Sequence, residues 1–331
     1  MRVGVDGRSM AGDRRGVAVY TSGMLAALEA AGVELRVHTP GNRRVHGAAA
    51  VVGRPQLDRL LGPVDVVWLP APAPVAIGRE TPYVLTLHDL TFLERPADFT
   101  PYERLWHRLA RPGALVRRAA RVVAPSVDTA KRARVRFGVD VDVVPAGPGD
   151  PGPEPDPSAV AALRERYGPY FLYVGALEPR KALDTLVAAH RGLAPALVLA
   201  GEGRLAGELA GPGVHLTGRV ERAEKAALYA GALAVVLPSW WEGYGYPPLE
   251  GFAHGTPAIV SDLPPLHETA GDGAWYVPSG DVEALRAAME ALAGDPELRR
   301  RLADGGAAAL RGRSWETSAA ALRAVLEEAA A

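Results

Sequence analysis

Short apolar runs bounded by turn residues alternate with helix-like segments along almost the whole chain, and this alternation restricts the fold more than any other feature of the sequence. The first half holds "RVGVD", "ELRVHT", "VDVVWLP", "YVLTLHD", "RVVAPS" and "DVVPAG", with the helical "YTSGMLAALEAAG" between the first two. Runs that are apolar at nearly every position bury both faces, as the strands of a parallel sheet do once crossover helices cover them. Beyond residue 158 the alternation restarts with "YFLYVG", "ALVLAGEG", "VHLTGRV", "LAVVLPS", "PAIVSD" and "AWYVPS", and the tail from Val282 reads as helix almost throughout. Between the two series lies "PAGPGDPGPEPDPS" (145–158), whose six prolines read as a linker outside either core. With 331 residues the chain also exceeds what one core usually organises. The expected organisation is an N-terminal Rossmann-like domain over 1–148, a second over 149–312, and a terminal helix over 313–331 that packs back on the first. Two doubly wound α/β domains make a cleft, and ligands of such sheets bind beyond the carboxyl ends of their strands.

Composition narrows the function. The chain has no cysteine, which excludes disulfides, thiolate metal sites and a cysteine nucleophile. The start "MRVGVDGRSMAGDRRG" lacks the apolar core of a signal peptide, and no apolar run is long enough to span a bilayer, so a cytoplasmic setting is expected. The net charge of −1 conceals an asymmetry: residues 1–148 carry 21 Lys and Arg against 14 Asp and Glu, the remainder 16 against 24. The basic excess gathers in 102–138, with ten cations against Glu103 and Asp128. Such a stretch suits peripheral contact with an anionic membrane surface or an acidic acceptor, or else forms the solvated faces of ordinary helices. No nucleic-acid partner is expected.

Three motifs carry chemistry. In "EGYGYPPLE" (242–250), Pro247 and Pro248 prevent one helix from running between the two glutamates, which places Glu242 in a loop and Glu250 in a helix starting near Pro248. Gly243 and Gly245 let the backbone approach a ligand, and the helix start would offer free amides to an anion. In "VGALEPRKALDTL", Arg180 and Lys181 project from the end of the first strand of the second half, where a phosphate-bearing ligand would lie. In "LVLAGEGRLAGEL", Gly201, Gly203 and Ala206 fit G-x-G-x-x-A between a strand and a helix, which would suit a dinucleotide with Glu221 on its ribose. That motif follows the second strand rather than the first, so a tight turn is the preferred reading.

"EGYGYPPLE" is similar to the E-x7-E motif of family-4 retaining glycosyltransferases, and "EPRKALDTL" resembles their phosphate-contacting Arg-Lys motif. "HGTPAIVSDLPPLHET", "GDGAWYVPSGDVEALRAAM", "TPYVLTLHDLTFLERPADF" and "RVVAPSVDTAKR" resemble the family's other segments in the same order, so the likeness extends over nearly the whole chain. "HDLTFL" looks closest to mannosyltransferases of bacterial polysaccharide biosynthesis. The resemblance implies the GT-B fold, α/β with two Rossmann-like domains facing across a cleft, and transfer of a hexose, mannose or glucose, with retention. The donor would be a nucleotide diphosphate sugar, and the acceptor a hydroxyl of a glycan, lipid-linked or small molecule. It further implies that Arg180 and Lys181 neutralise the diphosphate without a metal or other cofactor. Glu250 would bind the ribose, while Glu242 with Gly243, Tyr244 and Gly245 would face the sugar and its phosphates. His88 would reach the sugar hydroxyls from the first domain, Gly16 would belong to a glycine-rich donor loop, and Val220 would lie beside the base.

The sequence also departs from the family. In "GVAVY" Gly16 is kept, but Ala18 and Val19 stand where a glycine and an arginine are usual, and Ala182 replaces an asparagine common after the Arg-Lys pair. The altered loop leaves room for a non-catalytic nucleotide-sugar-binding subunit, and the GEGRLA turn for an NAD(P)-dependent oxidoreductase. Trp240 and Trp241 suit either a pocket wall or packing. Trp68, Trp106, Trp275 and Trp315 read as core, and the histidines other than His88 as structural.

Overall fold

The computed structural model describes residues 1–10, 16–39 and 55–331. The chain forms two compact units, Met1–Gly147 with Arg313–Ala331, and Pro148–Gly312. The first contains β1 (Arg2–Asp6), β2 (Glu34–His38), β3 (Val66–Leu69), β4 (Tyr83–Thr86), β5 (Arg121–Ala124) and β6 (Asp142–Val143), all parallel, in the order β2-β1-β3-β4-β5-β6. β3 and β4 are buried along their whole length, because helices cover both faces of the sheet. The chain steps from β1 outward to β2 and returns to the other side of β1 for β3. The strand order therefore reverses between β1 and β3, which leaves a crevice at their carboxyl ends.

The terminal helix Trp315–Ala330 belongs to this unit and buries Ala319, Leu322 and Leu326. The indole of Trp315 rests on Gly23 and Gly147, where any Cβ would overlap it. Arg121 ties the helix to β5 by donating to Glu328 at 2.7 Å.

The second unit contains β7 (Tyr170–Val174), β8 (Ala196–Ala200), β9 (Val214–Gly218), β10 (Ala234–Leu237), β11 (Ala258–Ser261) and β12 (Ala274–Val277), again parallel, in the order β12-β11-β10-β7-β8-β9. Here the reversal falls between β7 and β10, whose pairing joins Ala234 to Phe171 and Val235 to Leu172. The loops leaving these two strands carry Arg180–Lys181 and Glu242.

Three expectations need correction. Trp275 is 36% exposed, since β12 is an edge strand and one face of it meets solvent. The proline-rich tract is not a free tether, because residues 150–152 are docked on the second unit. Asp150 binds Arg222 at 2.6 Å, and the Pro151 carbonyl meets His254 Nε2 at 2.9 Å. Prolines deny this segment a strand ladder, so side chains satisfy its polar groups instead.

The G-x-G-x-x-A turn is the third. Residues 204–208 form turns and no helix follows, so a helix amino end for a pyrophosphate is missing there. The two glycines serve packing: a Cβ on Gly201 would overlap the Gly175 carbonyl, and one on Gly203 would overlap that of Leu177. Gly201→Ala is expected to destabilise the protein by about 2–3 kcal/mol through backbone overlap, measured as a lower denaturation midpoint at unchanged m-value.

Candidate functional site

Opposite charges converge at the β7/β10 reversal. After β7 the chain passes through a single 3-10 turn, Pro179–Lys181, and then enters the helix Leu183–His190. Ala182 joins the two in the left-handed region (φ 49°, ψ 42°) and is fully buried. An L-residue other than Gly or Asn pays about 1 kcal/mol for that conformation, so the usual asparagine would sit there with less strain. The turn aims Lys181 back across the sheet end, where Nζ donates to Glu242 Oε1. The same carboxylate oxygen accepts from Ser239 Oγ at 2.7 Å. Burial pushes the Lys181 ammonium below its usual range, while Glu242 works in the opposite direction. Arg180 lies beside it but turns elsewhere, its Nε donating to Glu178 Oε2 at 2.9 Å. The Arg180 carbonyl accepts from Trp240 N at 3.0 Å, which stitches the two loops together. The indole of Trp240 packs against Gly280, where a Cβ would overlap it, so packing is one of its roles.

The E-x7-E stretch divides as its prolines require. Glu242 is in the loop, Gly245 has φ 93°, and the helix runs from Tyr246 to Phe252. A Cβ on Gly245 would overlap Leu266, so both backbone and space demand glycine. The helix starts two residues earlier than Pro248, which puts both prolines in its first turn, where they contribute no N–H. The expected row of free amides is therefore reduced, and the Lys and Arg side chains, not the helix end, are the main source of positive charge here. Gly243 and Tyr244 are buried, and the Tyr244 carbonyl accepts from Thr269 Oγ1 at 2.9 Å.

Glu250 is 5% exposed and already engaged. Oε1 accepts from the Asp150 amide at 3.0 Å, and Oε2 from Tyr229 OH at 2.8 Å and Lys225 Nζ at 3.3 Å. A carboxylate offers about four acceptor positions, so one remains on Oε1. Burial, and next the neighbouring Glu250 charge, hold the Tyr229 phenol far above its ordinary value, so it stays a donor. Val220 lies between β9 and the helix Arg222–Gly231 that carries Lys225 and Tyr229.

In the first unit His88 follows β4, and its Nε2 lies 2.8 Å from the carbonyl of Pro70, just past β3. Its ring stands edge-on to Tyr20, with centroids 4.7 Å apart at 87°. Burial lowers the imidazole pKa below 6.5, against the opposing pull of the Pro70 bond and of Asp89. A carbonyl only accepts, so the neutral ring carries its proton on Nε2 and leaves Nδ1 as an acceptor. Near the β1/β3 reversal, Arg8 and Asp6 form a buried bidentate pair, with Arg8 Nε at 2.7 Å from Oδ1. Gly16 is the first residue of the helix Gly16–Ala30 rather than part of a loop, and Ala18 lies inside that helix with ordinary φ. A glycine at position 18 is thus not needed for backbone freedom; residues 11–15, ahead of Gly16, lie outside the described residues.

Sequence reasoning passed over Ser239, Lys225, Tyr229 and Asp150. Lys225 and Tyr229 are four apart on one helix, a same-face spacing that could have drawn attention to them. Asp150 was hidden in a stretch read only for its prolines.

Residues 161–308 match the family model described as glycosyl transferases group 1. Among curated proteins, the chain is 31% identical over 162 residues to the O-antigen chain mannosyltransferase B of Escherichia coli, covering 44% of this chain and 42% of that protein. It is 32% identical over 179 residues to the phosphatidyl-myo-inositol mannosyltransferase of Mycobacterium leprae, covering 50% and 48%. The chain thus aligns with less than half the length of these relatives. Among solved structures, sucrose-phosphate synthase from Thermosynechococcus elongatus superposes with a TM-score of 0.80 at 19% identity, covering 99% of this chain and 98% of that one. The fold is accordingly GT-B, with two Rossmann-like units.

Proposed function

We propose that the chain, whose residues 161–308 match the family model described as glycosyl transferases group 1, is a retaining hexosyltransferase. The observation that carries this reading is the Lys181–Glu242 pair at the strand-order reversal of that same unit. Mannose is the sugar named by the two curated relatives above, with glucose as the alternative, and the donor is a nucleotide diphosphate sugar. In the reaction the bond from sugar C1 to the diphosphate oxygen breaks, and an acceptor hydroxyl forms its bond to C1 on the same face. The hydroxyl proton passes to the departing phosphate. Charge then grows on the diphosphate, and Arg180 and Lys181 supply the cations that stabilise it. A bound diphosphate takes over Lys181 from Glu242, which frees the Glu242 carboxylate to accept from sugar hydroxyls. The remaining acceptor position of Glu250 Oε1 suits a ribose hydroxyl.

The direct test is thermal denaturation with UDP, GDP, ADP and dTDP in the presence of EDTA. A concentration-dependent rise with one of them is expected, since a ligand of the native state alone stabilises it. The absence of any rise would overturn the donor-site reading.

His88 supplies a second test. Its pKa is lowered by burial, so the unfolded chain takes up the proton first as pH falls below 6.5. Stability contributed by keeping the ring neutral is complete above 6.5 and declines between that value and the lower folded pKa. The difference in Tm between wild type and His88→Gln should therefore shrink as pH falls from 7.5 toward about 5. Donor kcat/KM in the wild type should fall only at the lower end of this window, as pH passes the folded-state pKa and Nδ1 gains a proton.

A further inference from the structure

Apart from Arg117, Lys131 and Arg136, the cations of 102–138 fall into two groups. Arg121 pairs with Asp142 and Glu328, and Arg132 with Glu94 and Asp128. Arg118 donates to the carbonyls of Ile77 and Gly78, and Arg134 to that of Val141. These four are held by the protein. Arg104, Arg108 and Arg111 are exposed, and among the described residues they make no ion pair. They lie on and at the end of the helix Pro101–Ala110.

That helix is fixed in orientation. Thr100 and Glu103 form a reciprocal capping box, which commits the helix's acid to its amino end. On the inner side His107 meets Phe92 and Phe99, with centroids 5.4 and 4.8 Å away, and Ala110 is buried. The outer side is thereby set: Arg104 and Arg108, one turn apart, flank Leu105, and Tyr102 is three residues from Leu105 on the adjoining edge. Leu105 is 51% exposed and Tyr102 57%. An amphipathic helix in a globular protein ordinarily turns its large apolar residues inward, so this outward pair is unpartnered by the fold. Arg111 follows in the left-handed region, φ 47°, because Pro112 disfavours further helix at the residue before it.

We propose that this face docks on the surface of an anionic phospholipid bilayer, with Arg104, Arg108 and Arg111 at the headgroups and Leu105 and Tyr102 entering the boundary of the acyl region. Charge complementarity alone would also suit a polyanionic glycan. The exposed Leu105 and Tyr102 beside the arginines decide for the bilayer, since they gain from an apolar phase that a glycan lacks. No helix among the described residues is long and apolar enough to cross a membrane, so the contact is peripheral. The proposal is independent of the transfer reaction.

Flotation of the full chain with phosphatidylcholine vesicles, with and without about 30 mol % phosphatidylglycerol, tests it. Binding is expected only to the anionic vesicles and should weaken as salt rises. Arg104→Glu with Arg108→Glu should reduce it by about tenfold or more, and Leu105→Ser should reduce it without any change of charge. The pair Arg59→Glu with Arg79→Glu changes net charge equally on other exposed positions of the same unit and should leave binding intact. Thermal melts of each variant will show whether it remains folded. Equal loss in the two charge-reversal pairs, no loss with Leu105→Ser, or binding to a soluble anionic polysaccharide without binding to vesicles would each overturn the proposal.

Discussion

Alanine in place of Lys181 is expected to lower kcat/KM for the donor by about 10³-fold, the scale seen when one preorganised stabiliser of developing charge is removed. If the ammonium acts on the departing diphosphate, most of this loss falls on kcat rather than on donor KM, because the charge is greatest in the transition state. The variant should also lose stability. Loss of the ammonium leaves Glu242, whose side chain is 10% exposed, accepting from Ser239 Oγ. Stranding one member of a buried pair costs about 3 kcal/mol or more. These two effects are separable. Adding Glu242→Gln to Lys181→Ala removes the stranded charge and should return much of the stability, while activity stays low. A double variant that regained donor turnover along with stability would show that Lys181 acts only through packing, and the proposed role would fail.

Periodicity made the strands legible because most are apolar at nearly every position, the edge strands β2 and β9 being more polar, and twelve runs in two series leave little alternative to two parallel sheets. What it could not supply was strand order, since which neighbour β10 pairs with depends on long-range packing. Only that order brings the loops after β7 and β10 together and joins Lys181 to Glu242. The site residues named in sequence were those with local motifs. Ser239, Lys225 and Tyr229 have none, because their roles arise from distance in space rather than along the chain. Asp150 was misjudged for a related reason: prolines announce missing ladder bonds but do not say where the remaining amides find acceptors. The helix start at Tyr246 shows the opposite limit, where two prolines permitted a boundary two residues on either side.

Glu250 offers the second large effect, because it would serve stability and donor binding through different lone pairs. Glu250→Ala removes the acceptor of the Asp150 amide and of Tyr229 OH, and takes the carboxylate from Lys225 Nζ, a largely buried cation that keeps the Asp150 carbonyl. A loss of about 3 kcal/mol is expected, shared between the two unsatisfied donors and the ammonium that has lost its carboxylate. Released from Glu250, residues 150–152 should also exchange amide hydrogens faster, which hydrogen-exchange measurement would detect. Glu250→Gln is milder: its carbonyl oxygen can keep the Tyr229 or Lys225 bond, but an NH2 group takes the place of an acceptor. If the free position on Oε1 accepts from the ribose, the glutamine variant should raise donor KM by about tenfold or more with kcat little changed, since the ribose contact is the same in ground and transition states. Comparing nucleoside with 2′,3′-dideoxynucleoside diphosphates then locates the effect: the wild type should discriminate strongly and Glu250→Gln weakly. If both proteins discriminate alike, Glu250 is confined to holding 150–152 on the second unit, and the ribose is recognised elsewhere.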